Sequence, residues 1–335
     1  MARLLTIAII VVAGLYSAYW FVGSSAQERA LGVWIEERRA DGWVADFSDL
    51  SVRGYPSRFD TRITDLQLAD PRSGWAWAAP VFQVLALSYQ PNHVIAVWPP
   101  EQVISSPQER ITVTAGDMRA SVRFEPNSGL ALSAVTLDVE DLALSSSADW
   151  SSAMAKAQLA TRQTAGTAFA HDVFFQATDM RPARVLELIL SEDSPLPEVF
   201  EAVKLDATVG FDAPWDRRAI EGRKPELTSL NLREMSARWG AMEFEATGQL
   251  TIDRAGVPTG RIAVRAQNWR DMLALAVAAD LVPERIAGAV ESGLSLIAQF
   301  SGNPETIDAP LRFDRGTVAL GPIPLGPAPR FVINP

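Results

Sequence analysis

The sequence predicts a mainly β protein of α+β type: a curved antiparallel sheet forming a groove or open barrel, with covering helices and an N-terminal transmembrane helix. Three observations predict it. An uncharged apolar run opens the chain, the hydrophobic period changes from near 3.6 to 2 at Trp43, and two later stretches return to the helical period. Antiparallel pairing follows, because parallel strands need crossover helices and read as continuous apolar runs rather than as alternation.

The first run, Leu4 to Val22, carries no charge; as a helix it would be about 28 Å long, close to the hydrocarbon thickness of a bilayer. Tyr16, Tyr19 and Trp20 gather near its far end, where amphipathic rings favour the lipid–water boundary, and Arg3 stands at the near end. Residues 1–25 therefore read as a membrane anchor. The rival is a cleaved signal peptide, for which Ser24, Ser25 and Ala26 offer small residues, although the run exceeds the roughly 7 to 15 residues usual there. Arg29, Arg38 and Arg39 follow the span and only Arg3 precedes it, so local basic counting does not place the C-terminus outside. In 26–42, Leu31, Trp34 and Ile35 form one apolar stripe beside charged residues, an amphipathic connecting helix stopped near Gly42. That stripe packs either on the domain that follows or on a membrane surface.

Strand signals fill a first β-rich half, 43–180. Ile111, Val113 and Ala115 alternate with threonines; Met118, Ala120, Val122 and Phe124 alternate with Arg119, Ser121 and Arg123. The run from Leu130 to Leu144 alternates with phase slips that point to bulges or turns. A second β-rich half, 181–335, repeats the pattern at 203–211, 230–239, 242–252 and 262–266, with the turn residues DRAGVPTG making 242–266 a hairpin or meander. Helical segments are expected near 181–203, with Val185, Leu186, Ile189 and Leu190 on one face, and near 268–300. The latter has Met272, Leu275, Ala276 and Ala279, then Ile286, Val290, Leu294 and Ile297.

Chemistry is sparse. A formal charge of -10 opposes a phosphate-binding surface, so nucleic acid is not an expected partner. The absence of cysteine excludes disulfides, thiolate metal sites and cysteine nucleophiles. The two histidines, His93 and His171, have no metal-ligand spacing, and no phosphate loop, dinucleotide fingerprint or nucleophile elbow is present. The neighbours Glu140-Asp141 and Glu192-Asp193 would point to opposite faces of a strand and read as solvated ends. No catalytic residue, metal or cofactor is expected. Ten tryptophans are more informative, since such rings either fill a core or line an apolar groove. The groove candidates are Trp75, Trp77, Val122, Phe124, Leu137, Val209, Phe211, Trp239 and Phe244.

The stretch VRGYPSRFDTRITDLQLAD, 52–70, reads as two strands about a Gly54-Tyr55-Pro56 corner that re-aims the chain so that a sheet can bend. That corner with Arg58-Phe59-Asp60, and the ending LRFDRGTVALGPIPLGPAP, resemble the alphaproteobacterial family of membrane-anchored proteins known as domain of unknown function 2125. The ending is also similar to the last segment of AsmA-like envelope proteins, with Asp314-Arg315-Gly316 where relatives usually carry Asp-Gly. The resemblance implies a body in the periplasm on a single inner-membrane span. The expected function is non-enzymatic binding or passage of membrane lipid, or another apolar molecule, in a β groove. The rival is an envelope assembly or scaffold protein with a filled core and a surface for an envelope protein partner.

Overall fold

A computed structural model describes residues 1–167, 169–181, 183, 197–279 and 281–332. Every strand pairing with a described register is antiparallel. The chain divides into two units, the first comprising 1–123 and 143–149, the second 124–142 and 150–335.

In unit one, α1 (Ala2–Ala40) is a single helix. Strands follow as β1 (Val44–Asp46), β2 (Asp49–Arg53), β3 (Arg58–Asp70), β4 (Trp75–Leu87), β5 (Gln90–Val97), β6 (Glu101–Ser105), β7 (Arg110–Thr114) and β8 (Asp117–Phe124). β3 is the organising strand: β2 pairs with its start, β1 with its end, and β4 along its other edge. Asp65, at φ 52°, sits where the partner changes from β2 to β1, opposite Pro80, whose missing N–H leaves a gap in the ladder. The paired Pro99-Pro100 ends β5, so β4 pairs with β5 at one end and β6 at the other.

α1 has two parts with different surroundings. Almost all of its apolar first stretch is exposed, and this is a helix long and apolar enough to cross a membrane. From Tyr16 onward it lies on unit one. Trp20 is buried with Val52 and Phe59, and its Nε1 donates to Arg58 O at 2.7 Å. Tyr19 donates to Ser88 O at 2.7 Å, Tyr16 and Ser88 share a hydroxyl bond at 2.7 Å, and Ser17 and Tyr55 one at 2.8 Å. Further along, Gln27 reaches Thr61, Glu28 accepts from Val52 N, and Ile35 is buried. The amphipathic stripe thus packs on the domain through Ile35, while Trp34 stays partly exposed beneath Arg38.

The Gly-Tyr-Pro corner differs from expectation. It does not re-aim one strand but reverses the chain between β2 and β3, with Arg58 N donating to Gly54 O at 2.9 Å. Gly54 is required there: its φ is 106°, and a Cβ would stand 2.9 Å from Arg58 Cβ. Tyr55 then stacks on Phe21 and meets Trp20 edge-on.

Unit two is a meander in which each strand pairs with the next. It runs through β9 (Leu132–Ser146, as far as Leu142), β10 (Ser151–Gln163), β11 (Ala170–Arg181), β12 (Phe200–Phe211), β13 (Leu227–Trp239), β14 (Met242–Ile252) and β15 (Pro258–Gln267). It closes with β16 (Thr306–Asp314), β17 (Thr317–Leu320) and β18 (Ile323–Pro327). A short helix, α2 (Arg217–Glu221), is capped by Asp216, whose carboxylate accepts from Arg218 N and Ala219 N. Between β15 and β16 come α3 (Trp269–Ala278) and α4 (Glu284–Phe300).

The hairpins obey their turn residues. Arg315 and Gly316 both have positive φ, as a two-residue hairpin turn demands, and Asp253 accepts from Ala255 N and Val257 N to close the loop before β15. The helix expected near 181–203 falls largely outside the described residues; its last four, 200–203, are the start of β12. Unit two also runs across the cut expected at 180/181, because β11 pairs with β12 through ten positions from Ala170↔Gly210 to Met180↔Phe200. A break in periodicity does not separate domains when the strands on either side of it share a ladder.

Candidate functional site: an apolar pocket in unit two

The core of unit two lies on one face of its strands. Ala207, Leu232, Ala246, Leu250, Ile262 and Phe313 form one cluster, and the helices cover the neighbouring surface through Trp269, Ile297 and Ala298 against Ala266, Ile307, Ala309 and Leu320. Trp269 is 2% exposed, and its Nε1 donates to Pro304 O at 3.0 Å. Arg270 caps the ring at 4.4 Å and pairs with Glu305 at 3.1 Å. These contacts pin the start of α3 to the loop before β16.

Beyond that pin, the described residues leave the cover incomplete. A pocket of about 460 Å³ lies between α3 and strands β12 to β14, lined by Phe200, Ala237, Trp239, Met242, Phe244, Met272, Leu275, Ala276, Ala279 and Leu281. None of these carries a charge. The wall has a local origin: Trp239 and Met242 flank the tight β13–β14 turn, where Gly240 has φ 57° and a Cβ would stand 2.8 Å from Pro197 Cδ. Trp239 donates its Nε1 to Pro197 O at 2.7 Å and stacks on Phe200 with centroids 4.7 Å apart. With the Trp239 N–H satisfied by Pro197 O, the pocket presents hydrocarbon and aromatic faces. Such a wall can hold an apolar group by burial but offers no group to polarise or protonate one.

Of the sequence candidates, the structure brings Trp239 and Phe244 together in this pocket. Val209 and Phe211 lie on β12, with Phe211 edge-on to His171 and Trp215, while Leu137 lies on β9. Trp75, Trp77 and Val122 belong to unit one, and Phe124 to unit two. Trp75 is 54% exposed at the start of β4, Trp77 donates to Gln102 at 2.7 Å and meets Phe82, and Val122 pairs with Val94. Met272, Leu275, Ala276 and Ala279 were legible as one helical face but not as a pocket wall. Met242 was legible on the same strand face as Phe244, whereas Leu281 carried no such signal.

The polar cluster around Arg233 pairs within itself. Arg233 is the extra residue of a bulge in β13 opposite Asp206 and Ala207; it pairs with Asp206, and with Asp172 at 3.3 Å. Thr208 donates to Asp172 at 2.8 Å, and that bond, with Arg233, holds the Asp172 carboxyl below its usual range. His93 lies on β5 and shares a 2.8 Å bond with Ser121. His171 is buried on β11, and desolvation pushes its pKa below the ordinary value, Asp172 opposing only in part. Among the described residues there is no group of three or more His, Asp or Glu side chains placed to hold a metal ion.

The architecture defines an antiparallel β protein that carries an apolar N-terminal helix and an uncharged pocket under a partial helical cover. The chain belongs to the family described as uncharacterized protein conserved in bacteria (DUF2125), whose profile matches residues 20–329. No curated protein and no solved structure matches it significantly.

Proposed function

We propose that this protein is a non-enzymatic binder, anchored in the inner membrane by α1 with its body in the periplasm, and that the unit-two pocket takes the hydrocarbon part of a membrane lipid or another apolar molecule. The pocket carries the reading: ten apolar lining residues enclose about 460 Å³ with no charge among them. Each methylene moved from water into such a wall gains about 0.8 kcal/mol, so a chain of several carbons is held without any directed bond. A polar headgroup has no partner in the lining and stays at the mouth.

α1 supports anchoring. The uncharged run Leu4 to Val22 comes close to a bilayer's hydrocarbon thickness, and the residues that signal cleavage at Ser24–Ala26 would remove include Trp20, which is built into the core of unit one. The test is organic extraction and native mass spectrometry of the full chain purified in mild detergent, beside an Ala276→Trp variant that puts an indole ring into the pocket. Co-purifying lipid in the parent and none in the variant supports the proposal. A lipid-free parent favours the scaffold reading, with a partner surface in place of a ligand.

A further inference from the structure

We propose that unit one meets the bilayer directly: the turns at 54–57 and 88–89, with Tyr16 and Tyr19 of α1, form an aromatic surface that lies in the headgroup layer of a phospholipid membrane. This rests on the reading of α1 as a span and adds the surface through which the body touches lipid.

The argument is one of length. The uncharged run from Leu4 to Val22 spans about 28 Å as a helix, hardly the roughly 30 Å of hydrocarbon it must cross. Its last third is already occupied by the body, because Tyr55 bonds Ser17 and stacks on Phe21 with centroids 5.5 Å apart, and the hydroxyls of Tyr16 and Tyr19 both meet Ser88. Residues 4–15 alone give only about 18 Å of helix. No spare turn of helix is left to hold the body away from the lipid, so a span that crosses brings both turns to the boundary.

The turns are made for that boundary. They read Gly-Tyr-Pro-Ser and Ser-Tyr, without an acid, and Arg53 and Arg58 flank the first. Tyr55 is 51% and Tyr89 67% exposed. Tyrosines with an apolar body and a polar tip favour the headgroup level, and flanking arginines favour anionic lipid. The opposite end of unit one, at Ser73, lies about 40 Å away along the paired thirteen-residue strands β3 and β4.

The chain has no cysteine, so single labelling sites can be placed freely. Full-length Ile9→Cys, Tyr89→Cys and Ser73→Cys proteins, each carrying a polarity-sensitive fluorophore, are reconstituted in vesicles of phosphatidylcholine and phosphatidylglycerol with nitroxide lipids. The expected result is quenching at 9 by mid-chain nitroxide, at 89 by headgroup nitroxide, and at 73 by neither. Quenching at 9 with none at 89 overturns the surface and leaves the span intact. Absence of quenching at both 9 and 89 overturns the surface together with the anchor.

Discussion

Each unit seats a helix on its strands, and the two seats differ in fit. In unit one, α1 meets the β2–β3 reversal with Trp20 and Gly23 against Phe59 and Tyr55, so closely that a Cβ on Gly23 would stand 2.8 Å from Phe59 Cζ. In unit two, Ala276 of α3, Ala279 at its C-cap and Ala237 of β13 line the pocket, while two of the lining rings, Trp239 and Phe200, stack on each other. Large against glycine closes the first seat, and small against small leaves the second open among the described residues. Interiors at native density tolerate few voids larger than a water molecule, so an open apolar seat is the feature that asks for an occupant.

The comparison can be broken at its strongest point first. Trp20→Ala should leave a cavity in the filled seat and cost about 3–5 kcal/mol, read by urea unfolding of the full chain in detergent. A cost under 1 kcal/mol, on the order of a single hydrogen bond, would mean that α1 is not part of the core. Adding bulk sharpens the contrast: Gly23→Val should destabilise by about 1–3 kcal/mol through overpacking. Ala276→Val, in the open seat, should be neutral or stabilise by up to about 0.8 kcal/mol per methylene buried. Equal penalties at the two positions would show that the pocket is closed in solution.

Smaller effects separate ring from hydrogen bond. Trp20→Phe keeps an aromatic body but leaves Arg58 O without the indole donor, and should cost about 1 kcal/mol by the same assay. Acid provides the last contrast, because buried His171 belongs to unit two. Burial lowers its pKa from the ordinary 6.5, so below that pH the unfolded chain takes up a proton that the folded chain refuses. The contribution is fully present above about pH 6.5 and declines as pH falls through that value. Calorimetry across this range should show unit two weakening first, and His171→Gln should remove that dependence.

How much of this was legible depends on the range of the signal. Alternation reported the strands because side chains on a strand change face at every residue, and Met272, Leu275, Ala276 and Ala279 reported a helical face for the same local reason. Arg315-Gly316 announced its turn through chemistry confined to four residues. The pocket wall was not legible as a whole, because Phe200, Trp239 and Leu281 meet only through strand register and the pinning of α3, which depend on contacts distant in sequence. Trp75 and Trp77 looked like partners of Trp239 by composition, yet they stand in the other unit. The Gly-Tyr-Pro corner was recognisable as a place of special backbone, but its role as a seat for α1 required Trp20 and Ser88 from far along the chain.

The most direct test of the open seat is a crystal of the full chain grown with a fatty acid brominated near its methyl end, with the bromine located by anomalous scattering. The account predicts a bromine among Trp239, Met242 and Ala276. A well-ordered crystal with bromine only on the outer surface of α1, or with the side chains of α3 closed onto β13 and β14, would contradict it.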